Sequence, residues 1–572
     1  MPVSPQAAPL QLDSQTADGL EGEEEEQPED ENRLDKFTVR INGQHDLEQR
    51  LKDFKEACEA HEKHARRRKR RRYYHLGLVA KLVTETTHDE LRRMLENGTY
   101  TFHVDTVANK PEELQAILDT MNIAISAHSA ERELRLTTGL ALEINGECCR
   151  IGRLRNNCTV MLARGAVVTL TTDEAYRYKG FKEILFVINL WAYLASIQLG
   201  DIVLIGREVR GRVVKTLREA LTVMILDAGL VASYDFIELP RQCHALDPDV
   251  YPDLYLKDLQ MVAARNANYV VMPKIRCKSF LRAVRQTINA NFNLKLIGMI
   301  DFEYVRSNML DLLGIIKLLD YIWIPDMFNI SCCVYNYIME DVLPISQCQK
   351  KPVIGTVPLE RCSDFKRFEL HEFLWKVDAI HIQKSPWCNK YPLIVKKLMP
   401  IKDYRVGVVQ NRMVLKNILT SYQTIVNFII RTISSIECQA IFLFTTCETA
   451  SVALSRTEIY CPVYLMMPLE ETDDADNIAC KVELSRALHL RRNMHPVLYT
   501  KDLNECNYSP IEFGVDFMRK KGCLEVGDFV VTMEVAKEDK ENVVIGIGED
   551  VCILRAFYVS PLLACEKFKY GG

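Results

Sequence analysis

No apolar run in the 572-residue chain reaches membrane-spanning length. The opening residues, Met1-Pro2-Val3-Ser4, lack the charged and hydrophobic regions of a signal peptide. Both absences predict a soluble, cytoplasmic protein with no membrane partner. Paired cysteine spacing is missing as well. The 19 cysteines are scattered, and the adjacent pairs Cys148-Cys149 and Cys332-Cys333 suit neither a disulfide framework nor a zinc site. Most are expected to be buried small hydrophobes in a reducing compartment.

The first seventy residues lack the material of a core. Glu21–Glu31 is acidic and punctuated by proline, which predicts disorder through about residue 45. Leu47, Leu51, Phe54 and Cys58 then recur at helical spacing. That helix leads into seven consecutive cations, Arg66–Arg72. This arm reads as a solvated linker, a nuclear-import signal or a dock for an acidic surface such as the chain's own tail. It has no stacked aromatics or other parts of a nucleic-acid module beside it, which argues against nucleic acid as a partner.

What the chain does have is hydrophobic material, 48% of its residues, and length past the point at which one core keeps growing. Eight short apolar runs stand out: Leu78–Leu82, Thr101–Val104, Ala141–Ile144, Tyr269–Lys274, Lys295–Ile300, Tyr321–Pro325, Pro352–Val357 and Ala379–Gln383. In most cases a stretch of helical period follows. Buried parallel strands look like this, because crossover helices and a barrel interior shield both faces. The runs predict a (β/α)8 TIM barrel over 76–152 plus 241–400, with its chemistry at the strand ends. The gap after the third run is too long for a crossover. Its valine, leucine and threonine content, with turns at Gly165, Gly200 and Gly229, predicts a small inserted β-barrel over 153–240. Strands such as Ala440–Thr445, Val463–Met467 and Phe529–Glu534 alternate with helical stretches, predicting a C-terminal α/β domain over 401–572. Residues 1–45 form the acidic tail and 46–75 the helix and basic arm in this division. The fold class is therefore α/β: a TIM barrel with an inserted β-barrel and a C-terminal α/β domain.

This order resembles the pyruvate kinase family, and local matches run from about Leu76 onward. Thr169-Leu170-Thr171-Thr172-Asp173 resembles the family's LTTD, and Phe236-Ile237-Glu238-Leu239-Pro240 stands at GVNLP. Lys351-Pro352-Val353-Ile354 keeps KPVI, and Tyr391-Pro392 keeps the YP after the eighth strand. The resemblance implies phosphoryl transfer from phosphoenolpyruvate to ADP, giving pyruvate and ATP in glycolysis. It also implies magnesium and potassium as cofactors and a homotetramer, or a mixed oligomer with an active paralogue.

The residues at the family's catalytic positions depart from its pattern. His103 and Asp105 stand at the arginine and asparagine of NVARLNFSHG, and Val107 replaces a potassium-binding serine. Glu143 and Ile144 replace the aspartate and threonine potassium ligands of ALDTKGPEIRTG, while Arg150 is retained as a phosphate contact. In SKIEN of the fifth strand, Met299 replaces the lysine that stabilises the moving phosphoryl, and Asp301 replaces the metal-binding glutamate. Phe328 replaces the second metal-binding carboxylate, with Asp326 nearby, and Val357 replaces a substrate-contacting threonine. Gly206-Arg207-Glu208 stands at the DDG turn. Thr445–Ala450 replaces the effector loop TKSGRS, gaining Glu448, which argues against sugar-phosphate activation there.

Three readings follow. The chain is a non-catalytic structural or regulatory paralogue, or an enzyme with a rearranged site using Lys274, Asp301, Asp326 and Arg150, with Arg276 after the fourth strand as a further candidate phosphate contact. In the third, an apolar floor of Met299, Phe328, Val357 and Trp387 takes a less charged ligand. Set against these, Lys274 and Arg276 read as solvated loop charges, and the apolar floor as side chains refilling lost space.

Overall fold

The computed structural model describes residues 37–39, 76–132, 136–239, 252–325, 330–357, 373–374, 376–383, 429, 433, 438–445, 448–455, 459, 461–469, 473–500, 510–520, 524–525, 527–537, 546–547 and 550–559. The acidic run, the Leu47–Cys58 helix, the basic arm, Asp326, Phe328 and Trp387 lie outside these residues.

Eight parallel strands close a barrel: β1 (Gly77–Lys81), β2 (Thr101–Asp105), β3 (Gly139–Glu143), β4 (Tyr269–Ile275), β5 (Lys295–Ile300), β6 (Tyr321–Ile324), β7 (Val353–Thr356) and β8 (Ala379–Ile382). β8 pairs with β1 to close the ring. Strand alternation sorts the side chains. Phe102, Val104, Leu142, Val270, Leu296 and Ile322 point outward into one large core shared with the helices. Val79, Ala141, Tyr269, Val271, Ile297, Tyr321, Trp323, Ile354 and Ala379 fill the interior. Both faces are therefore buried, which is why the strands read as near-continuous apolar runs. Helix His88–Glu96 starts where Thr87 and Glu90 form a reciprocal capping box.

Between β3 and β4 the chain builds a second closed barrel. Its strand order is 209–216, 220–225, 167–171, 184–188, 149–151, 236–238 and 202–205. Its first strand, Cys149–Ile151, begins ahead of the expected 152/153 boundary, so Arg150 belongs to the inserted barrel.

The C-terminal sheet runs 37–39, 550–558, 529–537, 438–444, 463–469 and 494–500, with helices alternating along the chain and an apolar core on each face. Phe37–Val39 pairs antiparallel with the 550–558 strand, so the tail expected to be disordered through residue 45 contributes an edge strand.

This domain covers the N-terminal mouth of the TIM barrel. Leu490, fully buried, joins the interior cluster of the barrel. Arg486 donates from Nε to the Thr138 carbonyl at 2.9 Å, and Arg492 from Nη2 to the Val377 carbonyl at 2.7 Å. Gly77 runs against the His489 backbone, where a Cβ would overlap the carbonyl oxygen. One mouth is thus plugged, and the C-terminal mouth beneath the inserted barrel is left for function. Leu490→Ala is expected to leave a cavity in the plug and destabilise the chain by about 2–5 kcal/mol. Thermal denaturation unchanged from wild type would contradict this.

Candidate functional site

The upper interior of the barrel is built from alternating residues at the C-terminal strand ends, where each second side chain faces inward. His103 and Asp105 come from β2, Glu143 from β3, Met299 from β5, Trp323 from β6, Thr356 from β7 and His381 from β8. Arg150 reaches in from the inserted barrel.

Arg150 is 2% exposed, and its guanidinium bridges two buried carboxylates. Nη1 lies 3.3 Å from Asp105 Oδ2, and Nη2 bonds Glu143 Oε1. His103 Nε2 lies 3.1 Å from the other Glu143 oxygen. Asp105 Oδ1 accepts the backbone N–H groups of Val107 at 3.0 Å and Ala108 at 3.3 Å. Burial opposes the charge on Glu143, but the Arg150 guanidinium and then His103 outweigh it and hold the carboxyl far below the usual range. Arg150 is correspondingly fixed as a cation.

Beside this knot lies an aromatic layer. Trp323 Nε1 donates to Thr356 Oγ1 at 2.8 Å, and His381 Nδ1 sits 3.3 Å from the same hydroxyl. His103 packs edge-on against Trp323 and His381, at 4.9 and 5.2 Å between ring centroids. Burial, with His103 and Lys81 adding to it, pushes the His381 imidazole well below its ordinary value, so the ring is neutral. Met299 packs on the edge of this interior cluster.

A second ionic group rims the mouth. Arg276, its side chain 11% exposed, donates from Nε to Asp301 Oδ2 at 2.8 Å and from Nη2 to Glu238 Oε1 at 2.9 Å. Lys274 Nζ reaches the same Glu238 oxygen at 2.8 Å. Asp301 also caps helix Phe302–Ser307 by accepting the Tyr304 N–H. Glu147, Cys148, Cys149, Phe236, Ile237, Glu238, Lys274 and Arg276 line a cleft between the two barrels. Burial pushes the Cys148 thiol up to about 12, so it remains a thiol.

The structure brings His103, Asp105, Glu143 and Arg150 into one cluster, and Arg276 and Asp301 into another. Several expectations change. Arg150, expected as a phosphate contact, is engaged by two carboxylates. Lys274 and Arg276, read as solvated loop charges, are partly buried and paired. Val357 leaves the proposed apolar floor: it packs in the outer core, while its neighbour Thr356 faces inward. The sequence reading also missed Trp323, His381, Phe236 and Glu238. The inward parity of Met299 within its strand was the signal for Trp323 and His381. Phe236 and Glu238 stand in the segment matched to GVNLP, but that match does not reveal their partners, which they meet only after the inserted domain folds back.

Against this geometry, residues 423–544 match the family model described as "Pyruvate kinase, alpha/beta domain". The fold is similar to that of Cryptosporidium parvum pyruvate kinase in complex with ADP, with a TM-score of 0.65 and 15% identity, covering 88% of this chain and 99% of that chain. No curated protein matches the chain. The C-terminal segment therefore matches a pyruvate kinase domain, and the three-part fold of the chain is that of a pyruvate kinase. Among the described residues, no helix is long and apolar enough to cross a membrane, and no group of three or more His, Cys, Asp or Glu has metal-site geometry.

Arg150→Met is expected to strand two buried carboxylates and destabilise the fold by about 3–5 kcal/mol near neutral pH. The Glu143 carboxyl is depressed, so the stabilisation it brings is present above its unfolded value of 4.5 and is lost as pH falls through the lower folded value. Denaturation of wild type and variant should therefore converge in acid; a gap that widens there would refute the ion-pair assignment. Glu147 has the opposite sign. Burial is the largest influence on it and, despite N–H donors from Arg276 and Cys277, pushes its carboxyl up to about 7. Its contribution favours folding in full below the unfolded value of 4.5 and fades as pH rises through about 7. Glu147→Gln should gain thermal stability on wild type between about pH 5 and pH 8; parallel profiles would count against a buried proton at this site.

Proposed function

We propose that this chain is a member of the pyruvate kinase family that has exchanged phosphoryl-transfer chemistry for a structural or regulatory role in the cytoplasm, assembled with itself or with an active paralogue. The observation that carries the reading is the internal pairing of charge at the barrel mouth. Arg150 is held by Asp105 and Glu143, and Arg276 by Asp301 and Glu238. Phosphoryl transfer depends on cations free to neutralise the moving group and on carboxylates free to hold metal.

Magnesium asks for oxygen ligands in octahedral geometry. The Asp301 carboxylate already accepts from Arg276 and from the Tyr304 N–H. Glu143, at a potassium position of the family, and Asp105 beside it are both bound to a guanidinium. These residues do not fit either ion without breaking buried ion pairs, and no mechanistic step is assigned through them. Met299 supplies no charge where the family places its lysine. Loss of such a stabilising donor alone lowers a rate by about 10²–10³.

The alternative is an active pyruvate kinase with a rearranged site using Lys274, Asp301, Asp326 and Arg150. The ADP bound to the Cryptosporidium parvum enzyme favours testing nucleotide binding directly. The decisive measurement is coupled pyruvate release with phosphoenolpyruvate, ADP, magnesium and potassium. Turnover is expected at least about a thousandfold below an ordinary pyruvate kinase, and Met299→Lys with Phe328→Asp is expected not to restore it, because Arg150 and Arg276 remain committed. Wild-type turnover matching the family's ordinary enzymes would establish the alternative.

A further inference from the structure

We infer that the interior of the TIM barrel holds a binding site for an uncharged hydroxyl, a water or the alcohol of a small neutral ligand, between His103 Nδ1 and His381 Nε2. Both atoms are buried without a protein partner, on residues only 2% and 3% exposed. Buried polar atoms are costly in that state and usually meet a partner. The hydrogen bonds already made decide which of these nitrogens carries a proton. An indole nitrogen can only donate, so Trp323 Nε1 gives its proton to Thr356 Oγ1 at 2.8 Å. The threonine hydroxyl is thereby turned to donate to His381 Nδ1, 3.3 Å away, and the neutral His381 ring keeps its proton on Nε2. On the other ring, the ionised Glu143 can only accept, so His103 Nε2 donates to it at 3.1 Å and Nδ1 is left with its lone pair. One orphan is a donor and the other an acceptor. An oxygen bearing a hydrogen satisfies both. A metal ion, which needs lone pairs from each ring, and a bare carboxylate, which has no hydrogen to give, do not.

Strand order brings the two atoms to one place. Thr356, His381, Lys81, His103 and Glu143 lie on β7, β8, β1, β2 and β3, consecutive around the ring. The two nitrogens of an imidazole point in divergent directions. With His381 Nδ1 turned toward β7 and His103 Nε2 toward β3, the orphans face back toward β1 from its two sides, their ring centroids 5.2 Å apart. Lys81, at the end of β1, shares the inward face with Val79 and pairs in register with His103. Its side chain makes no hydrogen bond or ion pair among the described residues, so the ammonium is a second donor for the same oxygen. Buried waters typically make about three hydrogen bonds to groups left over in this way. Charge selects a neutral occupant. Lys81 and Arg150 balance Asp105 and Glu143, and at the rim Lys274 and Arg276 balance Glu238 and Asp301. A phosphate would meet no surplus of positive charge there. The site is independent of whether phosphoryl transfer survives, because neither orphan nitrogen is asked to hold phosphate or metal.

Selective isotope labelling of histidine in the full chain, read by NMR, tests the site in solution. The His381 signals, assigned as those lost in His381→Phe and again in His381→Gln, should show a proton on Nε2 that gives a cross-peak to a long-lived water. That proton should exchange with solvent at least about tenfold more slowly than an exposed imidazole N–H. His103 should carry its proton on Nε2 alone. Glycerol, an uncharged hydroxyl probe, separates the two occupants. If it shifts both rings together and removes the water cross-peak, the site takes a ligand's alcohol; if it moves neither, water is the resident, and both results support the site. Inorganic phosphate should shift neither ring. A proton on Nδ1 of either ring, fast exchange at His381 Nε2, absence of the water cross-peak before glycerol is added, or a joint response of the two rings to phosphate would each overturn the inference.

Discussion

The arrangement at the barrel mouth depends on one buried cation, Arg150. Removing a guanidinium and two carboxylates from water is expensive, and such a group persists only when its members satisfy one another with good geometry. Here the cation comes from the inserted barrel and the anions from β2 and β3, so the two domains complete each other electrostatically. The pairing fixes the positions of Glu143 and Asp105, and through Glu143 the imidazole of His103. His103 then sets the edge of the aromatic layer formed with Trp323 and His381.

The two ends of the TIM barrel are closed by different physics. At the N-terminal end Leu490 enters the interior as an apolar plug, with arginines around it donating to backbone carbonyls. At the C-terminal end closure is ionic, first through Arg150 and then through the partly solvated Glu238 group. Apolar closure is insensitive to salt, whereas exposed ion pairs are screened. The inserted domain adds these ion pairs to an apolar core that it shares with the barrel, whereas the C-terminal domain keeps its own cores and meets the barrel through Leu490 and hydrogen bonds.

Much of the architecture was legible because each barrel strand is buried on both faces and so carries a compact apolar signature. The eight runs fall within a residue or two of the strands, and the fifth coincides with Lys295–Ile300. Met299 could likewise be placed at a strand end and recognised as lacking charge. The role of Arg150 was not legible: a retained arginine in a phosphate-binding motif looks the same whether it faces solvent or two carboxylates. Val357 illustrates the same limit, since a one-residue difference in strand parity sends it to the outer core and Thr356 to the interior.

The sequence by itself determined the succession of barrel, inserted barrel and α/β domain, because apolar periodicity and turn chemistry act over a few residues. It also determined which charges the mouth lacks, Met299 foremost. Only the tertiary structure decided which remaining charges are free, because an ion pair depends on distance and burial. Glu238 with Lys274 and Arg150 with Asp105 are brought together from distant parts of the chain once the inserted barrel has folded back.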